Sequence, residues 1–218
     1  MVIEMKRHMT FLLVFLFGLT SNLEGQNSVK TISLPVPDTA GGKPLMQVLK
    51  DRHSSRTFSS RNLPPQVLSD ILWAAFGVSR SDGRRTAPSA RNAQEIRIYA
   101  VMADGTYLYD APTHSLRQTL SADLRSKTGT QDFVATAPLN LVYVADLSKL
   151  GARTDDERTL YTGADCGVIA ENVYLYCASA GLGVVVRASI DRPACSAAMG
   201  LGSSEKIILA QTVGYPPE

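Results

Sequence analysis

The chain has 218 residues, of which 44% are hydrophobic and 19% are charged, and this composition is ordinary for one globular domain with a sizeable core. Its 22 basic and 20 acidic residues leave a net charge of +2, and the basic residues form no run. Nucleic-acid binders concentrate Lys and Arg on one face, so the charge pattern argues against a nucleic-acid partner. We predict one domain, with the arginines acting locally.

The first segment has the order of a secretory signal peptide. Lys6 and Arg7 precede the apolar run FLLVFLFGL at 11–19, and small and polar residues follow through Ser28. The run is too short to span a bilayer, so we expect no stable membrane span. We expect a signal peptide at 1–25 and a secreted or periplasmic protein, exported by a Sec-type route because no twin-arginine pair is present. A buried N-terminal helix or an uncleaved anchor is the alternative.

Helical and extended patterns then alternate at unequal lengths behind a polar lead-in with Pro and Gly at 26–43. Spacing and breakers predict helices at 44–50, from Pro64-Pro65 to Gly77, at 114–133, 163–180 and 192–199. Extended patterns predict strands at 96–100, 106–109, 139–145, 184–186 and 207–213. Asp104-Gly105 is typical of a hairpin turn between the first two strands. Such an irregular order favours an α+β sheet at 44–218 over a regular parallel array.

The segment 163–180 is the longest helix that the patterns predict, and it is apolar over most of its circumference. A helix of that kind must be covered on several sides, either by the core or by a partner subunit. Two cysteines in it, Cys166 and Cys177, would lie about 16 Å apart along the helix, so they cannot form a disulfide. We expect no disulfide in the chain. His53 and His114 have no partner cluster, so we also expect no metal site.

Three short motifs could carry chemistry. Arg52, Ser54 and Arg56 alternate in one segment and can offer charge and a hydroxyl to a phosphate. The stretch Pro88-Ser89-Ala90-Arg91-Asn92-Ala93-Gln94 offers amides that can pair with a heteroaromatic ring. Gly181-Leu182-Gly183 follows the long apolar segment and would let backbone approach a planar ligand. Each motif alone is common as plain surface, turn or helix end.

The order of these motifs resembles the FMN-dependent nitroreductases. Arg-x-Ser-x-Arg is followed by a helix, then by Pro-Ser-x-x-Asn-x-Gln, then by a long helix ending in Gly-Leu-Gly, and finally by Gly214-Tyr215-Pro216 after a strand. The resemblance covers residues 44–216. Three further stretches resemble the branch that includes the peptide-azoline dehydrogenases: Thr106 to Asp110, Gln131-Asp132-Phe133 and Ala145-Asp146-Leu147.

The resemblance implies an FMN site and an intertwined homodimer with a mostly antiparallel central sheet flanked by helices. Arg52, Ser54 and Arg56 would contact the phosphate, ribityl chain and pyrimidine edge, and His53 would contribute backbone or packing. Asn92, with Pro88, Ser89 and Gln94 beside it, would hold the pyrimidine or ribityl side. No catalytic side chain is implied, because the chemistry would be that of the flavin.

This sequence departs from the family pattern in two places. Many members carry Glu-Gly after the long helix, where a backbone amide meets flavin N5, whereas here Ala188 and Ser189 stand there. A backbone donor survives this change, but a glutamate side chain does not. Many members also carry Lys and Arg just beyond Gly-Tyr-Pro, where this sequence has Pro217 and Glu218. Arg187 is a substitute at the phosphate, or it faces solvent.

The resemblance thus implies an FMN-dependent oxidoreductase that moves hydride between a donor and a small nitro-, quinone- or azoline-like substrate. The alternatives are a family fold that has lost its cofactor and a non-catalytic flavin-binding or interaction protein. Because NAD(P)H is not expected outside the cytoplasm, the physiological donor stays open, as does the substrate.

Overall fold

The computed structural model describes residues 30–151 and 153–217, so the predicted signal peptide lies outside the described residues. Seven strands form one sheet in which each neighbouring pair is antiparallel, in the order β1-β4-β3-β2-β5-β7-β6. The strands are β1 (Thr31–Ser33), β2 (Ile96–Met102), β3 (Gly105–Asp110), β4 (Ser115–Leu120), β5 (Leu139–Asp146), β6 (Gly183–Arg187) and β7 (Glu205–Gly214). The predicted α+β class with an antiparallel sheet is confirmed.

The helices cover both faces of this sheet. They are α1 (Leu45–Asp51), α2 (Pro65–Phe76), α3 (Asp155–Ala180) and α4 (Arg192–Met199), with 3-10 turns at Ala90–Asn92, Arg125–Lys127, Asp132–Ala135 and Leu147–Leu150. The larger apolar core lies between one sheet face and the helices α2 and α3, and the smaller core lies under α4. The central strand β5 is buried along its whole length, which explains its continuous apolar sequence.

The ends of α2 and α3 follow from the residues that stand there. Pro65 lies in the first turn of α2, where no intrahelical donor is needed. The helix ends at Gly77, a position that suits glycine because a Cβ there would lie 2.3 Å from Trp73. Helix α3 begins with a capping box between Thr154 and Glu157 and ends at Gly181, whose φ is +71°. The predicted helices at 44–50, 65–76 and 192–199 and all five predicted strands are confirmed.

Two predictions about helices are wrong. Residues 114–133 form strand β4 and two 3-10 turns, because Ser115–Leu120 pairs with β3 in a second hairpin and buries Leu116. Helix α3 begins eight residues before Gly163, since the polar run from Asp155 caps it and lies on its exposed first turns. The short edge strand β1 extends the lead-in beside β4, a pairing that no local pattern indicated.

Candidate functional site

Residues 52–59 lie along the free edge of the sheet. The N–H of Ser55 donates to the carbonyl of Val184 in β6 at 2.8 Å, and the N–H of Ser59 donates to Tyr215 at 2.9 Å. A Cβ on Gly183 would lie 3.2 Å from Ser55 and 3.3 Å from Phe58. Gly183 therefore lets this segment pack on β6. The sequence motif predicted that a planar ligand approaches the backbone here, but residues 55 and 58 of the chain itself occupy that position.

Tyr174, on α3, joins this segment to the sheet. Its hydroxyl accepts the N–H of Val186 at 2.9 Å and lies 2.8 Å from Ser54 Oγ. The guanidinium of Arg52 lies 5.4 Å from the centre of its ring, within cation–π range. Two predicted ligands, Arg52 and Ser54, therefore converge on a residue that the motif analysis missed. We call Arg52, Ser54, Tyr174 and Val186 the edge cluster.

The other two residues of this motif are exposed. His53 turns its Nδ1 toward the carbonyl of Asp51 at 2.8 Å, and its contribution of backbone or packing stays a prediction. Arg56 is exposed beside the edge cluster, so its guanidinium is free to meet an anion. The segment therefore presents charge outward while its backbone is held against β6.

Ala188 and Ser189 follow directly after β6 and are exposed. Within the described part of the chain, no group accepts a hydrogen bond from either backbone N–H. The carbonyl of Ser189 accepts from Thr130 at 3.1 Å, which ties this turn to the segment after β4. A fixed turn with two available donors is the arrangement needed to meet an acceptor atom of a ligand.

Arg187 does not face solvent, so that alternative is wrong. Its side chain is 5% exposed and donates to Thr128, Asn140 and Thr212 at 2.8, 3.0 and 3.0 Å. Burial lowers the pKa of this guanidinium to about 10. Most N–H donors of this guanidinium already bond to groups inside the protein. This geometry does not favour the prediction that Arg187 replaces the C-terminal Lys and Arg of other members at the FMN phosphate.

The second motif forms a tight loop before β2. Ser89 Oγ accepts the N–H of Gln94 at 2.9 Å, and the carboxylate of Asp165 accepts the N–H of Ala90 at 3.0 Å. Arg91, Asn92 and Gln94 have φ values of 55°, 55° and 49°, a region that non-glycine residues seldom occupy. Pro88 and Asn92 are exposed and Ser89 is half-buried. We call residues 88–94 the strained loop.

Gln94 holds this loop in place and has little left to offer a ligand. Its Oε1 accepts from Arg85 Nε at 2.9 Å, and its Nε2 donates to the carbonyl of Gly83 at 3.2 Å and to Asn92 Oδ1 at 3.0 Å. The amide of Gln94 was predicted to contact the flavin, but in the structure its bonds hold the loop. Asn92 remains the exposed amide of the loop.

A buried carboxyl pair lies behind the strained loop. Glu95 is fully buried with no hydrogen-bond partner for either carboxyl oxygen in the described part of the chain, and Asp165 is 6% exposed. Burial, with Asp165 beside it, raises the pKa of Glu95 to about 7. No sequence motif indicated this pair. The one available signal was a glutamate directly preceding an apolar strand.

Helix α3 anchors both parts of the site. The strained loop meets it at Asp165 and the edge cluster meets it at Tyr174, nine residues further along. At 1.5 Å per residue, the anchors are about 14 Å apart along the helix axis. The two motifs are therefore fixed to one rigid element, although 35 residues separate Ser54 from Ser89 in the sequence.

The nitroreductase family profile matches residues 49–215, which include both motifs and all of α3. The chain belongs to the nitroreductase family. It is 33% identical over 165 residues to a candidate nitroreductase of Methanocaldococcus jannaschii, covering 71% of this chain and 83% of that protein. Members of the nitroreductase family are oxidoreductases that typically bind a flavin.

Two solved structures have a fold similar to that of this chain. A candidate nitroreductase of Ralstonia eutropha is 46% identical, with a TM-score of 0.83 over 86% of this chain and 90% of that chain. The Escherichia coli microcin synthetase complex contains a chain with a TM-score of 0.68 and 18% identity, over 96% of this chain and 85% of that one. The second likeness concerns the fold alone.

The described residues show neither a membrane-spanning helix nor a metal-binding cluster. Over residues 30–151 and 153–217, no helix is long and apolar enough to cross a membrane. The same part of the chain contains no group of three or more His, Cys, Asp or Glu side chains arranged to hold a metal ion. The three cysteines are free thiols, and all three are buried.

Proposed function

We propose that this nitroreductase-family protein is an FMN-dependent oxidoreductase that passes hydride between a donor and a small nitro-, quinone- or azoline-like substrate. The observation that carries the proposal is that the edge cluster holds the Arg-x-Ser-x-Arg motif at Val186 of β6. Two and three residues further along the chain, the exposed N–H groups of Ala188 and Ser189 have no acceptor among the described residues. FMN, when bound, supplies hydride transfer at its N5 atom.

The residues present fit an anionic, planar cofactor. Arg56 and the half-buried Arg52 supply positive charge, and Ser54 supplies a hydroxyl at the same edge. Among the described residues, no group accepts the N–H of Ala188 or of Ser189, although the turn after β6 fixes both residues. In this proposal Arg52, Ser54 and Arg56 contact the phosphate, ribityl chain and pyrimidine edge. The backbone of Ala188 and Ser189 meets the reactive ring, and Asn92 binds the pyrimidine or ribityl side.

Arg52→Ala tests this assignment. Removing charge-assisted hydrogen bonds of about 1.5–3 kcal/mol should weaken FMN binding tenfold to a hundredfold, measured by fluorescence quenching during titration of flavin-free protein. Arg117→Ala, an exposed arginine on β4, is the matched control. An unchanged affinity in Arg52→Ala would remove this residue from the site.

We further propose that the protein is a homodimer that pairs through α3. One face of this helix stays exposed and carries Leu160, Gly163, Ala164, Gly167 and Val168. Leu160 is 66% exposed, and a Cβ on either glycine would meet nothing within 4 Å. Helix α1 adds Leu45 and Met46, which are 62% and 76% exposed. A partner copy would cover these apolar surfaces, which a soluble monomer rarely exposes together.

Gly167→Arg tests the dimer. In the single chain the new side chain has space and improves helix propensity, so a loss of the dimer in light scattering would come from the interface. Ala122→Arg, at an exposed turn after β4, is the control and should leave the mass unchanged. A wild-type protein that scatters as a folded monomer would contradict the proposal.

We propose that the mature protein acts outside the cytoplasm, with a donor other than NAD(P)H. This proposal rests on the signal-peptide order of the first segment: Lys6-Arg7, then the apolar run at 11–19, then small and polar residues. Cell fractionation with N-terminal sequencing should find a shortened chain in the periplasm or medium. Full-length protein in the cytosol would defeat the proposal. NADH consumption by purified protein has no bearing on it, because an accessible flavin accepts hydride from many donors.

The three stretches similar to the peptide-azoline dehydrogenases support an azoline-like substrate within this scheme. The second candidate function is a flavin-binding or interaction protein without turnover. Anaerobic addition of donors to the flavin-loaded protein separates the two. Bleaching of the flavin absorbance followed by its return with an acceptor supports the enzyme, whereas a flavin that no donor reduces supports the second candidate.

A further inference from the structure

A cleft of about 470 Å³ lies beside the strained loop, and four arginines line it. We call it the arginine cleft. Its arginines are Arg80, Arg84, Arg85 and Arg91, and its other lining residues include Ser89 and Asn92 of the strained loop. The cleft therefore adjoins the residues to which the proposed function assigns the pyrimidine or ribityl side of the flavin.

Two turns form the walls of the cleft, and one side chain joins them. In the first turn, the N–H of Ser79 donates to the carbonyl of Arg84 at 2.9 Å, and the N–H of Gly83 donates to that of Arg80 at 3.0 Å. The amide of Gln94, in the second turn, bonds both Gly83 and Arg85 of the first. The backbone positions of the arginines are thus fixed before any ligand arrives.

The described residues neutralise only part of the charge of the arginine cleft. Asp82 is the one carboxylate that pairs with a cleft arginine within the described residues, holding Arg84 at 2.7 Å. Four guanidinium groups and one carboxylate leave three positive charges here, whereas the whole chain has a net charge of only +2. Asp110 and Glu157 act on Arg85 and Arg91 through space, without an ion pair within 4 Å.

The backbone of the strained loop gives an independent indication of binding. Arg91, Asn92 and Gln94 all have left-handed φ values, which are unfavourable for residues other than glycine unless their surroundings compensate. The carboxylate of Asp165 and the hydroxyl of Ser89 hold this conformation. Such strain is typical of binding sites. Here the strained conformation places Arg91 in the wall of the cleft that the other three arginines also line.

We propose that the arginine cleft binds the carboxylate or phosphate group of a small-molecule substrate and so makes the protein selective for anionic substrates. Guanidinium groups bind both anions through paired, charge-assisted hydrogen bonds, which lysines cannot reproduce. Arg80 and Arg91 supply these bonds, because neither has an ion-pair partner in the part of the chain that the structure describes. The position of this anion beside the flavin rests on the proposed function. The binding of the anion to the arginines does not depend on it.

Isothermal titration with two matched probes tests the proposal. 4-Nitrobenzoate and 4-nitrobenzamide share a ring and a nitro group and differ in charge, and each is titrated into full-length protein with and without saturating FMN. We expect the anionic probe to bind wild type at least tenfold more tightly. The double variant Arg80→Gln, Arg91→Gln should remove at least tenfold of that affinity, and the control Arg117→Gln should not.

Equal affinity for the two probes in wild type, or an unchanged preference in the double variant, would overturn the proposal. The flavin's own phosphate is the competing source of the anion, so the double variant is also titrated with FMN and with riboflavin. A loss of affinity for FMN alone would assign the cleft to the cofactor and overturn the substrate proposal. Failure of the proposed function would appear separately, as wild-type protein that binds the anionic probe but no flavin.

Discussion

The edge cluster and the strained loop are fixed to the same helix by different physical means. In the edge cluster, the neutral hydroxyl of Tyr174 bonds a backbone N–H and Ser54, and no residue there has a left-handed φ. The strained loop has three such residues and two buried carboxyls behind it. The first region is stable by ordinary hydrogen bonding, whereas the second stores unfavourable energy that α3 and β2 must compensate.

Because of this difference, we expect the two regions to respond differently to pH. The hydrogen bonds that hold the edge cluster join hydroxyl groups and a backbone N–H rather than charged groups, so we expect them to respond little to pH. A buried carboxyl pair responds strongly, because ionising the second carboxyl places a like charge beside the first in a region that water does not reach. The strained loop should therefore be the pH-dependent part of the site, and the edge cluster the constant part.

The largest expected effect is the pH dependence of unfolding through Glu95. Its pKa is raised from 4.5 to about 7 in the folded state, so the folded chain keeps a proton that the unfolded chain loses between these values. The contribution to stability is complete below pH 4.5 and is lost as pH rises through 7, by about 3 kcal/mol. Urea denaturation from pH 4.5 to 8 measures the loss.

Glu95→Gln should flatten this dependence, because the amide stays neutral throughout. The titratable groups that face Glu95 are Asp165 and Cys166 on α3, and Arg153 acts on it from the turn before α3. Asp51→Asn, at a more exposed carboxyl on α1, is the matched control and should keep the wild-type profile. A wild-type stability that rises between pH 5 and 7 would show that Glu95 is ionised in the folded protein.

The next largest effect should come from Tyr174→Phe in the edge cluster. The change leaves the N–H of Val186 and the hydroxyl of Ser54 without their partner, at a cost of about 1–3 kcal/mol in unfolding free energy. Affinity for FMN should fall, because Ser54 is no longer fixed. Tyr161→Phe on the same helix is the control, since Tyr161 is half-buried and contacts Arg153 through its ring face.

Tyr174→Phe also tests whether the edge cluster and the strained loop act independently. Hydrogen exchange at residues 52–59 should accelerate in Tyr174→Phe, while exchange at residues 88–94 should stay as in wild type. Equal acceleration in both segments would mean that α3 transmits the change and that the two regions do not act independently.

The smallest effect, and one of opposite sign, is expected for Arg91→Asn. Asparagine occupies the left-handed region at less cost than arginine, so the unfolding free energy should rise by up to about 1 kcal/mol. The same change removes a charge from the arginine cleft and should weaken binding of 4-nitrobenzoate. Arg80→Asn, where φ is ordinary, should weaken binding without stabilising the chain. Destabilisation by Arg91→Asn would show that the loop is not strained at this residue.

Local sequence determined most of the elements and the ligand motifs of this protein. Pro65 and Gly77 bound α2, Asp104-Gly105 turns the first hairpin, and the apolar run at Leu139–Asp146 is the buried centre of the sheet. The Arg-x-Ser-x-Arg motif could be identified because its charge and spacing are local features. These signals work because capping, turn formation and burial depend on residues within a few positions of one another.

Only the tertiary structure decided the rest. Residues 115–120 form a strand because β3 and β1 lie on either side of them, and α3 begins early because its polar first turns point away from the core. Contacts between residues 12 to 120 positions apart determine three features: the bonds of Tyr174, the Glu95–Asp165 pair and the burial of Arg187. A single sequence does not encode such distances as a local pattern, because they arise only when α3 packs across the sheet.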